Sequence, residues 1–224
     1  MIDSRQIVAN IVLEHSGCAE VFQRHRIDFC CRGDLSIEAA ARAKGVDVET
    51  LVDQLARAIS ERKGARPRAP QDLSTPELIA HIVSTHHERL RKRLPVVLAL
   101  SAKIGRVHGE RNPKLRDLAV AVEELANTLL PHLGEEEKVL FPALLASEPD
   151  PVLLTLELVS MADDHHAVAA ALRQIRAAAE DFNIPNWACN SYRTLYSELR
   201  QIESDVFTHV HLENHVLGPR FATA

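Results

Sequence analysis

Aromatic residues are scarce in this chain, with one Trp, two Tyr and six Phe making up 4% of 224 residues. Glycine is scarce as well, at 8. Sheets want aromatic and β-branched side chains on their pleated faces, so a β-rich fold is disfavoured. The apolar fraction is still 46%, carried mainly by Ala, Leu and Val, which suits helices. No stretch approaches the ~20 apolar residues of a membrane span. The opening MIDSRQIVAN is not a signal peptide, so the chain reads as cytoplasmic, with no membrane partner. Basic excess is also missing. With 26 Lys and Arg against 31 Asp and Glu, the formal charge is −5, which gives no footprint for nucleic acid. The 4 cysteines then read as reduced thiols suited to redox, catalytic or metal work. Histidine, by contrast, is plentiful: 12 residues, crowded between His81 and His215, which points to a metal.

The composition changes at ERKGARPRAPQDLSTPE, residues 61–77, which is rich in Pro, Arg and small residues and reads as a linker. Its end predicts a helix start, with Ser74 or Thr75 as cap, Pro76 in the first turn and Glu77 closing a capping box. Short helices precede it. Ser36 caps IEAAARAK, Gly45 ends it, and Asp47 caps the next; the turn IDFCCRGD carries adjacent cysteines. Four long helical patterns follow, over about 76–107, 114–146, 151–182 and 187–217. Long helices with short connections predict an all-α, up-down-up-down four-helix bundle. The expected division is residues 1–62 as a small helical Cys-Cys domain, 63–74 as linker and 75–224 as the bundle.

Two stretches share one pattern. HLGEEEKVLFP (132–142) and HVHLENHVLGP (209–219) both spell His-x-x-x-Glu-x-x-Val-Leu-x-Pro. In the second long helix the apolar stripe Leu118, Val122, Leu125, Leu129 leads into His132, Glu136 and Leu140. In the fourth, Leu195, Leu199, Ile202, Val206 lead into His209 and Glu213. Spacings of three and four put these on one face, so each His and Glu interrupts a core stripe. A buried carboxylate needs a cation or a strong donor beside it. In the other two helices the stripes select His87 over His86 and His165 over His166.

Imidazole with carboxylate, and no thiolate, suits iron, manganese or zinc. Two carboxylates among four imidazoles make two irons the economical reading, since six donors exceed the usual four of zinc. A bundle with satisfied core histidines and no metal is the competing possibility, and it predicts stability indifferent to chelator. Cys30 and Cys31 read as a redox pair, a persulfide or nitrosyl acceptor, or a landing point for iron; packing of one thiol as a small apolar group is the bland alternative. Cys18 and Cys189 read as structural, and Glu135 and Glu137 as solvation of the helix around an inward Glu136. His108 reads as a non-ligand; Asp163, Asp164 or Glu135 are candidates to receive the second N–H of a ligand imidazole.

The twin motif resembles the hemerythrin-like four-helix bundles, which hold an oxo- or hydroxo-bridged di-iron centre. The segment IDFCCRGDLSIEAAARAKGVD resembles the Asp-Tyr/Phe-Cys-Cys-x-Gly segment of the RIC (repair of iron centres) family, di-iron proteins for repair of iron–sulfur clusters. Together the two resemblances cover almost the whole chain. They imply His87, His132, Glu136, His165, His209 and Glu213 as iron ligands, with the two glutamates bridging. They further imply repair of clusters damaged by nitrosative or oxidative stress through iron donation, with damaged iron–sulfur proteins as clients and a homodimeric assembly. Reduction of nitric oxide at the two irons is a further activity in view, and a sensor or store of O2, NO or iron is the alternative. An oxygen-carrying hemerythrin has a further histidine one turn from the third-helix ligand. Here Met161 and Ala169 stand four residues either side of His165, which argues against oxygen carriage.

Overall fold

The computed structural model describes residues 2–61 and 68–221. Among them there is no β-strand, only one isolated bridge between Ile7 and Ser36. Among the described residues no helix is long and apolar enough to cross a membrane. Residues 63–67 of the expected 63–74 linker lie outside the described residues; its described end forms a 3₁₀ turn at Pro70–Asp72.

The chain divides into two compact units, Met1–Leu78 with Phe207–Ala224, and Ile79–Val206. The division differs in one respect from a cut along the sequence: the last residues of the chain group with the first.

The first unit contains α1 (Val8–Glu14), α2 (Cys18–Arg24), α3 (Ile37–Lys44) and α4 (Val48–Glu61). It also holds the start of α5 (Thr75–Ile82) and the end of α10 (Asn190–Leu212). The expected caps are present. Ser36 Oγ accepts from the Ala39 N–H, Gly45 ends α3 at φ 65°, and Asp47 Oδ1 accepts from the Thr50 N–H. Glu77 Oε2 accepts from both the N–H and the hydroxyl of Ser74, at 2.7 Å each, which is the glutamate arm of the capping box. The core is Val8, Ile11, Val21, Phe22, Phe29, Ile37, Leu51 and Leu55, all but inaccessible. Cys18 is buried with its thiol on the Leu55 carbonyl, and burial pushes that thiol up to about 11, so it is structural as expected.

The second unit contains the four-helix bundle. Its first helical pattern is the end of α5, a π-turn at Val83–His87 and α6 (Glu88–His108). The second is α7 (Lys114–Glu135), a π-turn at Glu136–Leu140 and α8 (Phe141–Leu145). Next come α9 (Pro151–Ala178) and residues 190–206 of α10. Short connections at 109–113 and 146–150, and a longer one at 179–189 that includes a 3₁₀ turn, make neighbours antiparallel. Ion pairs join them: Arg93 to Glu198 and Arg89 to Asp205 between α6 and α10, and a two-pronged Arg176–Glu203 pair between α9 and α10.

A third π-turn, Glu213–Leu217, follows α10. Each π-turn is closed by an N–H five residues on: Glu88 to the Val83 carbonyl, Phe141 to Glu136 and Gly218 to Glu213. The repeated proline explains two of them. Pro142 and Pro219 have no N–H, and each ring would strike the carbonyl four residues back in a tight α-turn. Widening by one residue relieves that clash and places the extra turn at the glutamate.

Gly33 is the one glycine in the Cys-Cys turn, and an added Cβ would lie 2.4 Å from the Phe29 carbonyl oxygen and 2.8 Å from Ala9 Cβ. Both are fixed structure, so the turn must open to admit it. Gly33→Ala should destabilise the first unit by about 1–3 kcal/mol, read by denaturant unfolding. It should also expose Cys30, read as faster reaction with an aromatic disulfide reagent.

Candidate metal centre and thiol turn

The bundle brings four of the predicted residues together around one carboxylate. His87, His132, Glu136 and His165 are each 3% exposed or less. Nε2 of His87 lies 3.5 Å from Glu136 Oε2; those of His132 and His165 lie 3.4 and 3.8 Å from Glu136 Oε1. Two donors about 2.1 Å from one ion, at 90–110° to each other, stand roughly 3.0–3.4 Å apart. The observed spacings are close to that and too long for strong hydrogen bonds.

The opposite nitrogens set the tautomer of two of these rings. His87 Nδ1 donates to Glu137 Oε1 at 2.9 Å, and His132 Nδ1 donates to Asp164 Oδ2 at 3.2 Å. A carboxylate on Nδ1 holds the proton there and leaves a lone pair on Nε2, the tautomer a metal ligand needs. Nε2 of His132 makes no hydrogen bond of its own. Burial pushes Glu137 up, but hydrogen bonds from Arg91 and His87 outweigh it and hold its carboxyl below the ordinary range. It therefore stays an acceptor. Phe141 stacks on His87 at 5.8 Å, and the His132 and His165 rings meet edge to face at 4.9 Å, which fixes the ring planes.

The second copy of the motif is at the end of α10. His209 and Glu213 are fully buried, with Nε2 3.8 Å from Glu213 Oε2. The same stretch holds the Cys-Cys turn. His211 Nδ1 donates to the Phe29 carbonyl at 2.9 Å; Asn214 Nδ2 and His215 Nε2 donate to the Cys30 carbonyl at 3.0 and 2.8 Å. Phe29 packs edge-on against Phe207 and His211. Burial pushes the His211 imidazole down to about 4, so it stays neutral at ordinary pH.

Inside the turn, Asp28 Oδ1 accepts the N–H of Cys30 at 3.1 Å and of Cys31 at 2.9 Å, an Asx arrangement that sets the loop. Cys30 is buried and Cys31 half-buried; both are reduced, with sulfurs 3.6 Å apart.

Several expectations need correction. Glu137 does not merely solvate its helix: it takes the Nδ1 of His87, a role expected of Asp163, Asp164 or Glu135, of which Asp164 takes that of His132. His86, read as the outward member of its doublet, is also buried and faces Asp205 at 4.0 Å instead of Glu136. His166, by contrast, is exposed, as its row with Arg173 requires. Cys189, read as structural, is exposed and 3.5 Å from His108 Nε2, and the His108 ring also contacts Trp187. The anchoring roles of His211 and His215 were missed, though they are four apart on a row different from His209 and Glu213. The positions flanking His165, Met161 and Ala169, are buried and apolar.

Residues 78–221 match the hemerythrin HHE cation binding domain, and residues 4–59 match a domain of unknown function, DUF542. The iron-sulfur cluster repair protein ScdA of Staphylococcus haemolyticus is 33% identical over 99% of this chain and 100% of its own. The chain belongs to the RIC family of iron–sulfur cluster repair proteins. Relatives named iron-sulfur cluster repair protein YtfE, from Yersinia pseudotuberculosis and Yersinia pestis, are each 31% identical over 90% of this chain and 89% of theirs. For this RIC protein the bundle is thus a cation-binding domain of hemerythrin type.

Carboxylate partners of ligand imidazoles are worth 10–100-fold in metal affinity. Glu137→Gln and Asp164→Asn should each weaken iron retention by about that factor, measured by competition with a ferrous chelator, with helical circular dichroism unchanged.

Proposed function

We propose that this protein repairs iron–sulfur clusters damaged by nitrosative or oxidative stress, by donating iron held between His87, His132, Glu136, His165, His209 and Glu213. The observation that carries it is the buried Glu136 carboxylate met by three imidazole nitrogens whose far sides are tied to carboxylates or packed rings. Residues 1–62 serve as the thiol module, 75–224 as the cation module, and 63–74 join them.

Each residue has a task that follows from chemistry. Glu137 and Asp164 hold protons at Nδ1 of His87 and His132. Glu136 and Glu213 would supply the negative charge that two divalent or trivalent ions need. Burial by Leu90, Leu129, Leu140 and Val168 excludes bulk water. Bound there, a pair of irons supplies exchangeable ferrous ion and one-electron redox chemistry. Apolar residues either side of His165 leave fewer protein donors than an oxygen carrier has, which favours release over reversible oxygen storage.

Cys30 and Cys31 act on the client side of the reaction. Damaged iron–sulfur proteins are the clients, the cytoplasm is the compartment, and a homodimer is the assembly, which mass in solution tests directly.

Iron content with optical and electron paramagnetic resonance spectra is the deciding experiment. The wild type should hold about two irons per chain with a coupled-pair signal, and Glu136→Ala or Glu213→Ala should abolish that signal. One metal indifferent to those substitutions would sink the di-iron reading. Adding NO to the reduced protein separates the tasks: nitrous oxide as product assigns NO reduction to the same centre, and a stable nitrosyl species confines the protein to donation. Replacing Cys30 and Cys31 by Ser should leave iron content intact and impair reactivation of a nitrosylated cluster protein.

A further inference from the structure

Asp28, Cys30 and Cys31 place three donor atoms, two sulfurs and a carboxylate oxygen, within 4.8 Å of one another. The Cys30 thiol donates to Asp28 Oδ1 at 3.3 Å, and the two sulfurs stand 3.6 Å apart. Two thiolates bound to one tetrahedral ion at about 2.3 Å each would have sulfurs about 3.8 Å apart, and a carboxylate oxygen would sit about 3.3–3.6 Å from either. A disulfide would instead need sulfurs at about 2.05 Å.

The surroundings speak against a nucleophile. The hydrogen bond with Cys31, then burial and the Asp28 charge, push the Cys30 thiol well above the ordinary cysteine range, whereas a reactive cysteine needs its thiolate. Negative donors crowded this way favour either protons or a cation.

We propose that Asp28, Cys30 and Cys31 form a second cation site, thiolate-rich and transient, which takes a ferrous ion as it leaves the His–Glu ligands. The proposal rests on the iron-donation reading above. The exchange balances. One divalent ion displaces two thiol protons to solvent, so the local charge is −1 before, from Asp28, and −1 after. Both carbonyls preceding the thiols are anchored on the helical stretch that carries His209 and Glu213, so the soft site and that pair share one segment. Sulfur donors suit a borderline ferrous ion bound for a cluster better than the imidazole and carboxylate donors do.

Cobalt(II) added to the full-length, iron-loaded protein reports thiolate ligation directly. One equivalent should give sulfur-to-cobalt charge-transfer absorption, absent when Cys30 and Cys31 are both Ser and formed with at least tenfold lower affinity in Asp28→Asn. Asparagine keeps the acceptor for both backbone N–H groups, so the turn stays folded. A missing band, or one that survives in the double serine variant, would overturn the site. Ferrous release to an external chelator should slow several-fold in both variants; an unchanged rate would overturn the transit role. Iron content in the same samples tests the His–Glu centre separately, since its failure would remove iron whatever cobalt shows.

Discussion

A carboxylate in the dry centre of a helix bundle costs several kcal/mol unless positive charge or strong donors surround it. Glu136 is 2% exposed, and a cation held between it and the three facing imidazoles would meet that cost. The imidazoles come from three different helical segments, so the side chains that face the carboxylate also tie the helices together. Their orientation depends in turn on Glu137 and Asp164, and Glu137 depends on Arg91. From the surface inward the series is Arg91, Glu137, the neutral His87 imidazole and the buried glutamate.

Much of this was legible in the sequence because helical periodicity is a strong signal over thirty residues. Leu118 through Leu129 defined a face before His132 and Glu136 were asked about, and the structure buries all of them. The doublet His165–His166 was resolved by the same test. His86–His87 was resolved only in part, because the π-turn at Val83–His87 advances the register and turns both rings inward. A periodicity of 3.6 cannot foresee a residue inserted into the turn. The prolines at 142 and 219 were the visible trace of two such insertions.

Interactions that depend on the third dimension were not legible. The carbonyls of Phe29 and Cys30 meet side chains more than 180 positions later, and no local pattern links them. Glu137 shows the same limit: three glutamates in a row gave no reason to prefer one as the partner of His87. Cys189 and His108 meet between a loop and a helix end, where sequence spacing carries no direction.

The first unit is closed by residues made long after its own helices. The 128 residues from Ile79 to Val206 separate its two parts. At 5–20 residues per second, the ribosome needs roughly 6–25 s to cross them. During that interval the Phe29 and Cys30 carbonyls have no helix end to receive, and Phe29 lacks Phe207 to cover it. The thiol turn takes its final shape only after the segment carrying His209 and Glu213 has emerged. Synthesis order thereby leaves the Cys-Cys turn without its carbonyl anchors until the end of the chain has been made.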